Sequence, residues 1–248
     1  PVDHAVADEQ VLLHAAAATT PTPSFYIMTG DLVNRGNERD DWDNLFAASA
    51  GVYDHYPLVP TVGNHECRGA DGPATWVAEF DLPKNGPDTL PKERIYSFQY
   101  ASAFFVVLDP NLDVEKQAPW LEEQLAAAKD AEWKFAAFHQ PVYSSAPNRD
   151  NDDVRNAWAP LFEKYGVDMV LEGHDHGYLR TYPMKEGQRS TVADGGVYYV
   201  VADSGGKYYD QGTFDYAEIE FPKTSTYQVL NIDEAKKTLT YRAYDATG

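Results

Sequence analysis

Gly173-His174-Asp175-His176 is the stretch that decides how this chain is interpreted. Alternate residues of an extended segment point to the same side, so we expect His174 and His176 to face one point together. Imidazoles placed in this way are common metal ligands. An isolated His-x-His pair means little, but three earlier stretches place similar residue types in comparable positions.

Each candidate ligand follows an apolar run that is typical of a buried strand. The runs are residues 25–28 before Asp31, 58–62 before Asn64, 134–138 before His139 and 168–171 before His174. In open α/β sheets the functional side chains gather beyond the carboxyl ends of the strands. Glycine precedes three of the ligands, where it permits tight turns. The sequence therefore predicts a mixed oxygen and nitrogen site, which suits Mn, Fe, Zn or Co better than Ca.

The composition and the order of the predicted elements indicate a layered α/β fold. Of 248 residues, 43% are hydrophobic and 13% aromatic, as in a globular protein rather than a disordered one. Predicted strands alternate with helices until residue 196, after which only strands follow. The helices are predicted at residues 2–18, 41–50, 117–130 and 153–165, and residues 67–94 are predicted to form a long surface excursion.

The charge balance argues against several classes of function. The chain has 39 acidic and 20 basic residues, and its formal net charge is −19. Such a field repels nucleic acids and anionic membranes. No apolar run is long enough to span a bilayer, and the first residues are not a signal peptide. Cys67 is the only cysteine, so no internal disulfide is expected, and a serine hydrolase is disfavoured because no Gly-x-Ser-x-Gly elbow occurs.

Four motifs together resemble the block pattern of the calcineurin-like metallophosphoesterases. They are Gly30-Asp31, Gly63-Asn64-His65-Glu66, His139 and Gly173-His174-Asp175-His176. Residues 141–144, 178–180 and 203–206 look closest to the purple acid phosphatase branch. The resemblance implies one metallophosphoesterase domain over residues 1–248, a four-layer αββα sandwich of two mixed sheets flanked by helices. It slightly favours a secreted or periplasmic location and leaves the oligomeric state open.

The resemblance also implies a role for each residue of the site. Asp31 would bridge two divalent or trivalent transition metal ions, Asn64, His139 and His174 would complete one metal site, and His176 would serve the other. His65 would not be a ligand but would help charge or protonate the leaving oxygen. The implied reaction is hydrolysis of a small phosphomonoester or phosphodiester by a metal-bound hydroxide, with Asp31 and His65 as the catalytic residues.

One block of the family pattern is missing. That block is an Asp, with a His or Tyr nearby, at the end of a strand that precedes the opening helix, and residues 1–248 begin at that helix. Asp3 has the wrong spacing and is adequately explained as an N-cap. Residues 31–34 also lack the tyrosine of purple iron centres. The alternative is therefore a truncated or non-catalytic domain in which one metal site acts in binding or structure.

Several other residues are weaker candidates. Tyr143, Tyr178 and Arg180 could contact substrate, since a guanidinium binds phosphate oxygens bidentately, although packing explains most of the 17 tyrosines. Three arginines in loops near the predicted edge are weaker still: Arg35, Arg68 and Arg149. Glu66 and Asp175 are expected to shape their loops rather than to bind metal.

Overall fold

The computed structural model describes residues 2–245, with side chains described from residue 10 onward. The helices are α1 (Val2–Ala17), α2 (Arg39–Ala48), α3 (Gly72–Glu79), α4 (Val114–Ala127) and α5 (Asp152–Tyr165). The first strands are β1 (Tyr26–Met28), β2 (Leu58–Pro60), β3 (Tyr96–Tyr100), β4 (Ala103–Val107), β5 (Trp133–Ala137), β6 (Met169–Glu172) and β7 (Tyr178–Thr181). The remaining strands are β8 (Met184–Lys185), β9 (Gln188–Arg189), β10 (Tyr198–Val201), β11 (Ala217–Phe221), β12 (Thr226–Asp233) and β13 (Thr238–Asp245).

A mixed seven-stranded sheet forms the centre of the molecule. Its strand order is β11-β7-β10-β6-β5-β4-β3, and strands β4, β5, β6 and β10 run parallel to one another. Every residue of β4 and β6 is buried. Strands covered on both faces are expected to be continuous apolar runs, because neither face meets water. The parallel strands end at one edge, and the predicted ligands follow two of them.

The layers on the two faces of this sheet give the predicted four-layer order. One face packs on α4 and α5 through large side chains that include Trp120, Phe138 and Trp158. The other face packs on the short sheets β1-β2 and β12-β13, with Phe105 and Phe135 in that interface. Residues of α1 and α2, among them Ala16, Trp42 and Leu45, cover the outer side of β1 and β2. The predicted αββα sandwich is confirmed.

The layer beneath α1 contains a gap between two strands. Among residues 2–245, β1 pairs only with β2, and β12 pairs only with β13. A cavity of about 650 Å³ lies between them and is lined by Ala16 of α1, Ile27 of β1, Phe135 of the large sheet and Leu230 of β12. The cavity therefore has a helix on one face, a sheet on the other and a strand along each side.

Backbone hydrogen bonds show that both strands direct unpaired groups toward this cavity. The Tyr26 N–H donates to the Pro57 carbonyl beside β2. Backbone groups of successive strand residues point to opposite sides, so the Ile27 N–H and carbonyl point away from β2. The Thr226 N–H donates to the Asp203 carbonyl and points away from β13. Because backbone groups alternate along a strand, those of residues 228, 230 and 232 also point away from β13. The two edges are thus available to an additional strand.

Helix α3 and strands β7 and β11 differ from the sequence-based predictions. The predicted surface excursion at residues 67–94 contains helix α3, and its Trp76 is fully buried beside Trp42 and Phe80. The apolar spacing in this segment is interrupted by Gly and Pro, which hides a helix of only eight residues. Strands β7 and β11 were not predicted, and they extend the large sheet at its β10 edge. The proposed N-cap side chain of Asp3 lies outside the described side chains. Within residues 2–245 no helix has the length and apolarity that a membrane span requires.

Candidate metal centre

Four donor atoms from four different loops meet at the edge where the parallel strands end. His139 Nε2 lies 3.0 Å from Asp31 Oδ2, 3.2 Å from Asn64 Oδ1 and 3.1 Å from His174 Nδ1. Ligand atoms about 2.1 Å from one ion lie roughly 3.0 Å apart when they occupy adjacent octahedral positions. The two imidazoles, the carboxylate and the amide oxygen therefore have the spacing of a shared coordination shell, and the donor set fits a transition metal ion.

The pKa values of two of the donors favour the same interpretation, whereas burial, which lowers the pKa of His139, is outweighed by the hydrogen bond and charge of Asp31, which raise it. Burial raises the pKa of Asp31, but the hydrogen bond and charge of His139 and the His65 N–H outweigh burial and lower the pKa to about 2. Burial, with the charges of His139 and Arg149, lowers the pKa of His174 to about 3. Metal ligands bind as a carboxylate and as neutral imidazole, so both groups are ready to coordinate at neutral pH.

His139 is oriented by the loop that follows β1. Its Nδ1 donates to the Thr29 carbonyl at 2.7 Å, and the ring is 1% exposed. That hydrogen bond fixes the tautomer and leaves Nε2 free to face Asp31, Asn64 and His174. The geometry is typical of metal-binding histidines, whose second nitrogen usually donates to a carbonyl or a carboxylate.

Glycines make the close approach of these loops possible. A Cβ atom at Gly63 would lie 2.2 Å from Asp31 Oδ1 and 2.3 Å from the Asp31 backbone nitrogen. A Cβ atom at Gly30, whose φ is +88°, would lie 2.7 Å from His139 Nδ1. Any side chain at either position would displace a ligand, which explains the glycines that precede Asp31 and Asn64.

Buried Glu66 holds the loops after β1 and β2 together. Its Oε2 accepts hydrogen bonds from the backbone N–H groups of Asp31 and Gly63 at 2.9 and 2.7 Å, and its Oε1 accepts from Val33 at 3.1 Å. Burial, together with the charge of Asp31, raises the pKa of this carboxyl to about 7. Glu66 contributes no atom to the ligand cluster, in agreement with the prediction that it shapes the loop.

We expect Glu66→Ala to weaken both the fold and metal binding. The substitution leaves three backbone N–H groups without an acceptor, and each such buried group costs about 1–3 kcal/mol. Loss of a residue that orients ligands typically lowers metal affinity about 10- to 100-fold. Urea unfolding and manganese titration of the variant measure the two effects. Glu66→Gln is the matched control, since its amide oxygen can still accept from Asp31 and Gly63, and equal metal affinity in Glu66→Ala and wild type would contradict the assignment.

The turn that carries the two predicted histidine ligands is not extended. His174 has φ +74° and His176 has φ +48°, and the Asp175 N–H donates to the Gly173 carbonyl. The expectation that alternate positions of an extended segment bring both imidazoles to one point is therefore wrong. His174 joins the ligand cluster, whereas His176 turns toward the loop after β10, where its Nδ1 lies 3.0 Å from the Lys207 carbonyl. Non-glycine residues with positive φ are uncommon and concentrate at functional sites.

His65 lies beside the cluster. Its Nε2 is 3.8 Å from Asp31 Oδ2, its Nδ1 is 3.1 Å from Arg68 Nη1, and its side chain is 17% exposed. Burial lowers the pKa of His65, and the nearby positive charges of Arg68 and Lys207 lower it further. The residue thus borders both the candidate metal centre and solvent.

The structure does not bring the three weaker substrate candidates to the cluster. Tyr178 is 1% exposed, and its hydroxyl lies 3.1 Å from the Tyr241 hydroxyl in the interface between sheets. Tyr143 is buried against Tyr199 and Tyr216. Arg180 Nη2 donates to Glu218 Oε2 at 2.8 Å across β7 and β11. Each of these groups already has a structural partner away from the clustered donors.

Asp175 organises the opposite side of the site. It is fully buried, and its Oδ2 accepts from the Ser145 N–H at 2.8 Å while its Oδ1 accepts from Arg149 Nε at 2.8 Å. The prediction that Asp175 shapes its loop agrees with these contacts. Its partner Arg149 is thereby placed next to His174, whose carbonyl is 3.5 Å from Arg149 Nη2.

The comparison with known families decides the classification. Residues 7–178 match the family model described as "Calcineurin-like phosphoesterase", which covers all the predicted ligands. The chain belongs to the calcineurin-like phosphoesterase family. An onion (Allium cepa) "Phosphoenolpyruvate phosphatase" is 28% identical over 194 residues, 69% of this chain and 40% of that protein. An uncharacterized protein of Mycobacterium tuberculosis is 29% identical over 189 residues, 66% of this chain and 36% of that protein.

A solved structure supports the fold. The purple acid phosphatase PPD1 from yellow lupin (Lupinus luteus) seeds superposes with a TM-score of 0.80 over 98% of this chain and 47% of that one. The identity is 18%, so the likeness concerns the fold alone. The chain spans about two fifths of the length of the curated relatives that it matches. The predicted resemblance to the family and to its purple acid phosphatase branch is confirmed.

Sequence reasoning missed two residues near the ligands, Lys207 and Tyr209. The Tyr209 ring centroid is 4.6 Å from that of His176, and the Tyr209 N–H donates to the His176 carbonyl. Both residues belong to the irregular segment 203–215 after β10. This segment has no periodic pattern, so only its packing against the histidine turn indicates that it borders the site.

Proposed function

We propose that this protein hydrolyses phosphate esters at a centre of two transition metal ions. The observation that carries the proposal is the convergence of four donors at one edge of the sandwich, where His139 Nε2 lies 3.0 to 3.2 Å from donor atoms of Asp31, Asn64 and His174. Membership of the calcineurin-like phosphoesterase family supports the same chemistry. So do the phosphatases among the relatives, which include Purple acid phosphatase 18 of Arabidopsis thaliana.

Four residues are assigned as metal ligands and one residue, His65, as the proton donor. Such ions, when bound, neutralise charge on phosphoryl oxygens and lower the pKa of the attacking water. Asp31, Asn64, His139 and His174 would hold the first ion, and the carboxylate of Asp31 would also serve the second. His65, 3.8 Å from the Asp31 carboxylate, is placed to donate a proton or a hydrogen bond to the leaving oxygen.

The second ion requires ligands beyond those that the described side chains supply. Among side chains 10–245, the one group of His, Cys, Asp and Glu residues close enough to share an ion is Asp31, His139 and His174. His176 is the remaining predicted ligand, and it lines the same cavity. The second site is therefore proposed to be completed by an added strand.

The gap between β1 and β12 supports this part of the proposal. A strand parallel to β1 would end at the same sheet edge as Asp31, because β1 runs toward that edge. Helix α1 directly precedes β1, so such a strand followed by α1 and β1 would form an ordinary parallel crossover. An Asp-x-His sequence at the end of that strand would then lie beside Asp31 and His176.

Metal content and hydrolysis together test the proposed function. We compare residues 1–248 with a version extended at Pro1 by an apolar five-residue strand, Asp-x-His and a short loop. After incubation with manganese, we expect one ion per chain for residues 1–248 and two for the extended chain. Hydrolysis of p-nitrophenyl phosphate should rise at least about 100-fold in the extended chain and disappear with EDTA, since a second ion contributes several kcal/mol of charge stabilisation.

Other outcomes separate the alternatives. One ion in both chains without hydrolysis would favour a non-catalytic domain whose metal acts in binding or structure. Hydrolysis that survives EDTA would contradict a metal-dependent reaction. A parallel assay with bis(p-nitrophenyl) phosphate distinguishes a phosphomonoesterase from a phosphodiesterase.

A further inference from the structure

We propose that Arg149, Lys207 and Tyr209 form an anion clamp that binds the non-bridging oxygens of the phosphoryl group beside His174 and His176. The inference rests on the proposed function, because it concerns recognition of the phosphate ester at the same site. It assigns a binding role to residues from two segments, 144–151 and 203–215, that supply none of the metal ligands.

Tyr209 ties the two cations to the histidine turn. Its ring lies 4.6 Å from the His176 ring, and its backbone N–H donates to the His176 carbonyl at 3.2 Å. The Arg149 guanidinium carbon and Lys207 Nζ each lie 4.9 Å from the centre of the Tyr209 ring. The electron-rich face of a tyrosine attracts the Arg149 cation at this distance, whereas Lys207 Nζ lies at the hydroxyl edge of the ring, 3.0 Å from the Tyr209 oxygen. One aromatic ring thus holds two positive groups next to two candidate ligands.

Additional hydrogen bonds fix the orientation of both cations. Arg149 Nε donates to the fully buried Asp175 carboxylate at 2.8 Å, and its side chain is 29% exposed. The Lys207 backbone carbonyl lies 3.0 Å from His176 Nδ1, while Lys207 Nζ donates to the Tyr209 hydroxyl at 3.0 Å. Because Arg149 uses Nε for Asp175, its terminal nitrogens can still donate to an oxyanion.

The net negative charge of the chain explains how these cations would favour binding of an anionic substrate. The chain carries a formal net charge of −19, so an approaching phosphate dianion meets a repulsive field over most of the surface. Within the described side chains, the Lys207 ammonium forms no ion pair with a carboxylate, and its hydrogen-bond partner is a neutral hydroxyl. Arg68, with Nη1 3.1 Å from His65 Nδ1, adds a third positive group beside the candidate metal centre. These cations offset the repulsion where the substrate enters, and a dianion gains more from them than a monoanion does.

The experiment measures affinity for inorganic phosphate by isothermal titration calorimetry on the manganese-loaded protein. We expect Lys207→Gln to weaken phosphate binding about tenfold, the loss expected for one charge-assisted hydrogen bond. Lys207 is exposed, so the substitution should leave the fold intact. Arg149→Lys, which retains the charge but removes the planar fork, should also weaken binding. Lys236→Gln is the matched control, because Lys236 pairs with Asp233 in the turn after β12 and makes the same charge change away from the site.

Kinetics with two substrates separate this proposal from the proposed function. Lys207→Gln should raise KM about tenfold for p-nitrophenyl phosphate, a dianion, and less for bis(p-nitrophenyl) phosphate, a monoanion, with kcat changed little. Phosphate affinity within twofold of wild type in Lys207→Gln, or no phosphate binding by the wild-type protein, would overturn the clamp. If the wild-type protein binds phosphate in a manner that depends on Lys207 but hydrolyses neither ester, the clamp stands and the proposed catalytic function fails.

Discussion

Asp31→Asn should abolish metal binding and lower kcat/KM by at least about 1000-fold while the protein stays folded. The carboxylate is the only anion among the four clustered donors, and metal ions supply several kcal/mol of transition-state stabilisation, with about 1.4 kcal/mol for each factor of ten. Asn suits this position because Asp31 has φ +56°, a conformation that Asn adopts readily. The amide oxygen can also accept the hydrogen bond that Asp31 Oδ1 receives from the His65 N–H.

Elemental analysis measures the metal content of wild type and variant. The rate of p-nitrophenyl phosphate hydrolysis after incubation with metal measures kcat/KM. Asp54→Asn is the control for the change of charge, since Asp54 is exposed and its nearest ion-pair partner is the exposed His55 at 3.9 Å. Circular dichroism establishes that the variant is folded. Full retention of metal by a folded Asp31→Asn protein would exclude Asp31 as a ligand and would remove the main support for the proposed centre.

Arg94→Met should lower the free energy of unfolding by about 3–5 kcal/mol, the cost of leaving one partner of a buried ion pair uncompensated. Arg94 Nη2 lies 2.5 Å from Asp109 Oδ2, and the two side chains are 7% and 0% exposed. Even with Arg94 present, burial raises the pKa of Asp109. In the variant the unpaired carboxylate should take up a proton more readily, so the deficit should shrink as the pH falls.

Urea unfolding at pH 7 and pH 5 measures both effects. The sign follows from proton linkage: a carboxyl whose pKa is raised by folding makes the folded state bind more protons, so stability falls as pH rises. Arg94→Met/Asp109→Asn should recover part of the loss, because it removes the buried charge but retains acceptance from the Asn111 N–H at 2.9 Å. Arg39→Met should have little effect, since Arg39 is 61% exposed. A deficit in Arg94→Met as small as that of Arg39→Met would contradict the prediction.

The Glu66 and Asp109 networks show where local patterns stop being informative. The sequence predicts Glu66 as a residue that shapes a loop, but its three acceptor contacts join loops that are about 30 residues apart. Asp109 directly follows strand β4 and Leu108, and it is half of a buried ion pair with Arg94. In both cases the residue type indicates a polar role, and the partner depends on how distant segments pack.

The sequence by itself determined the family, the layered fold and the identity of the clustered donors. The apolar runs before Asp31, Asn64 and His139 have the length of buried strands, and glycines next to the ligands meet a steric requirement that the structure explains. Periodicity and turn chemistry are local, so they can be read directly from the order of residues. These signals were sufficient because the parallel strands bring their carboxyl ends to one edge.

Only the tertiary structure decided which of two neighbouring histidines joins the cluster. His174 and His176 both have left-handed backbone conformations, and no pattern of alternating residues encodes such a turn. The same holds for Lys207 and Tyr209, which reach the site because segment 203–215 packs on His176. The gap between β1 and β12 depends likewise on strand pairing between distant parts of the chain. Contacts of this kind arise from long-range packing, and local sequence patterns do not predict them.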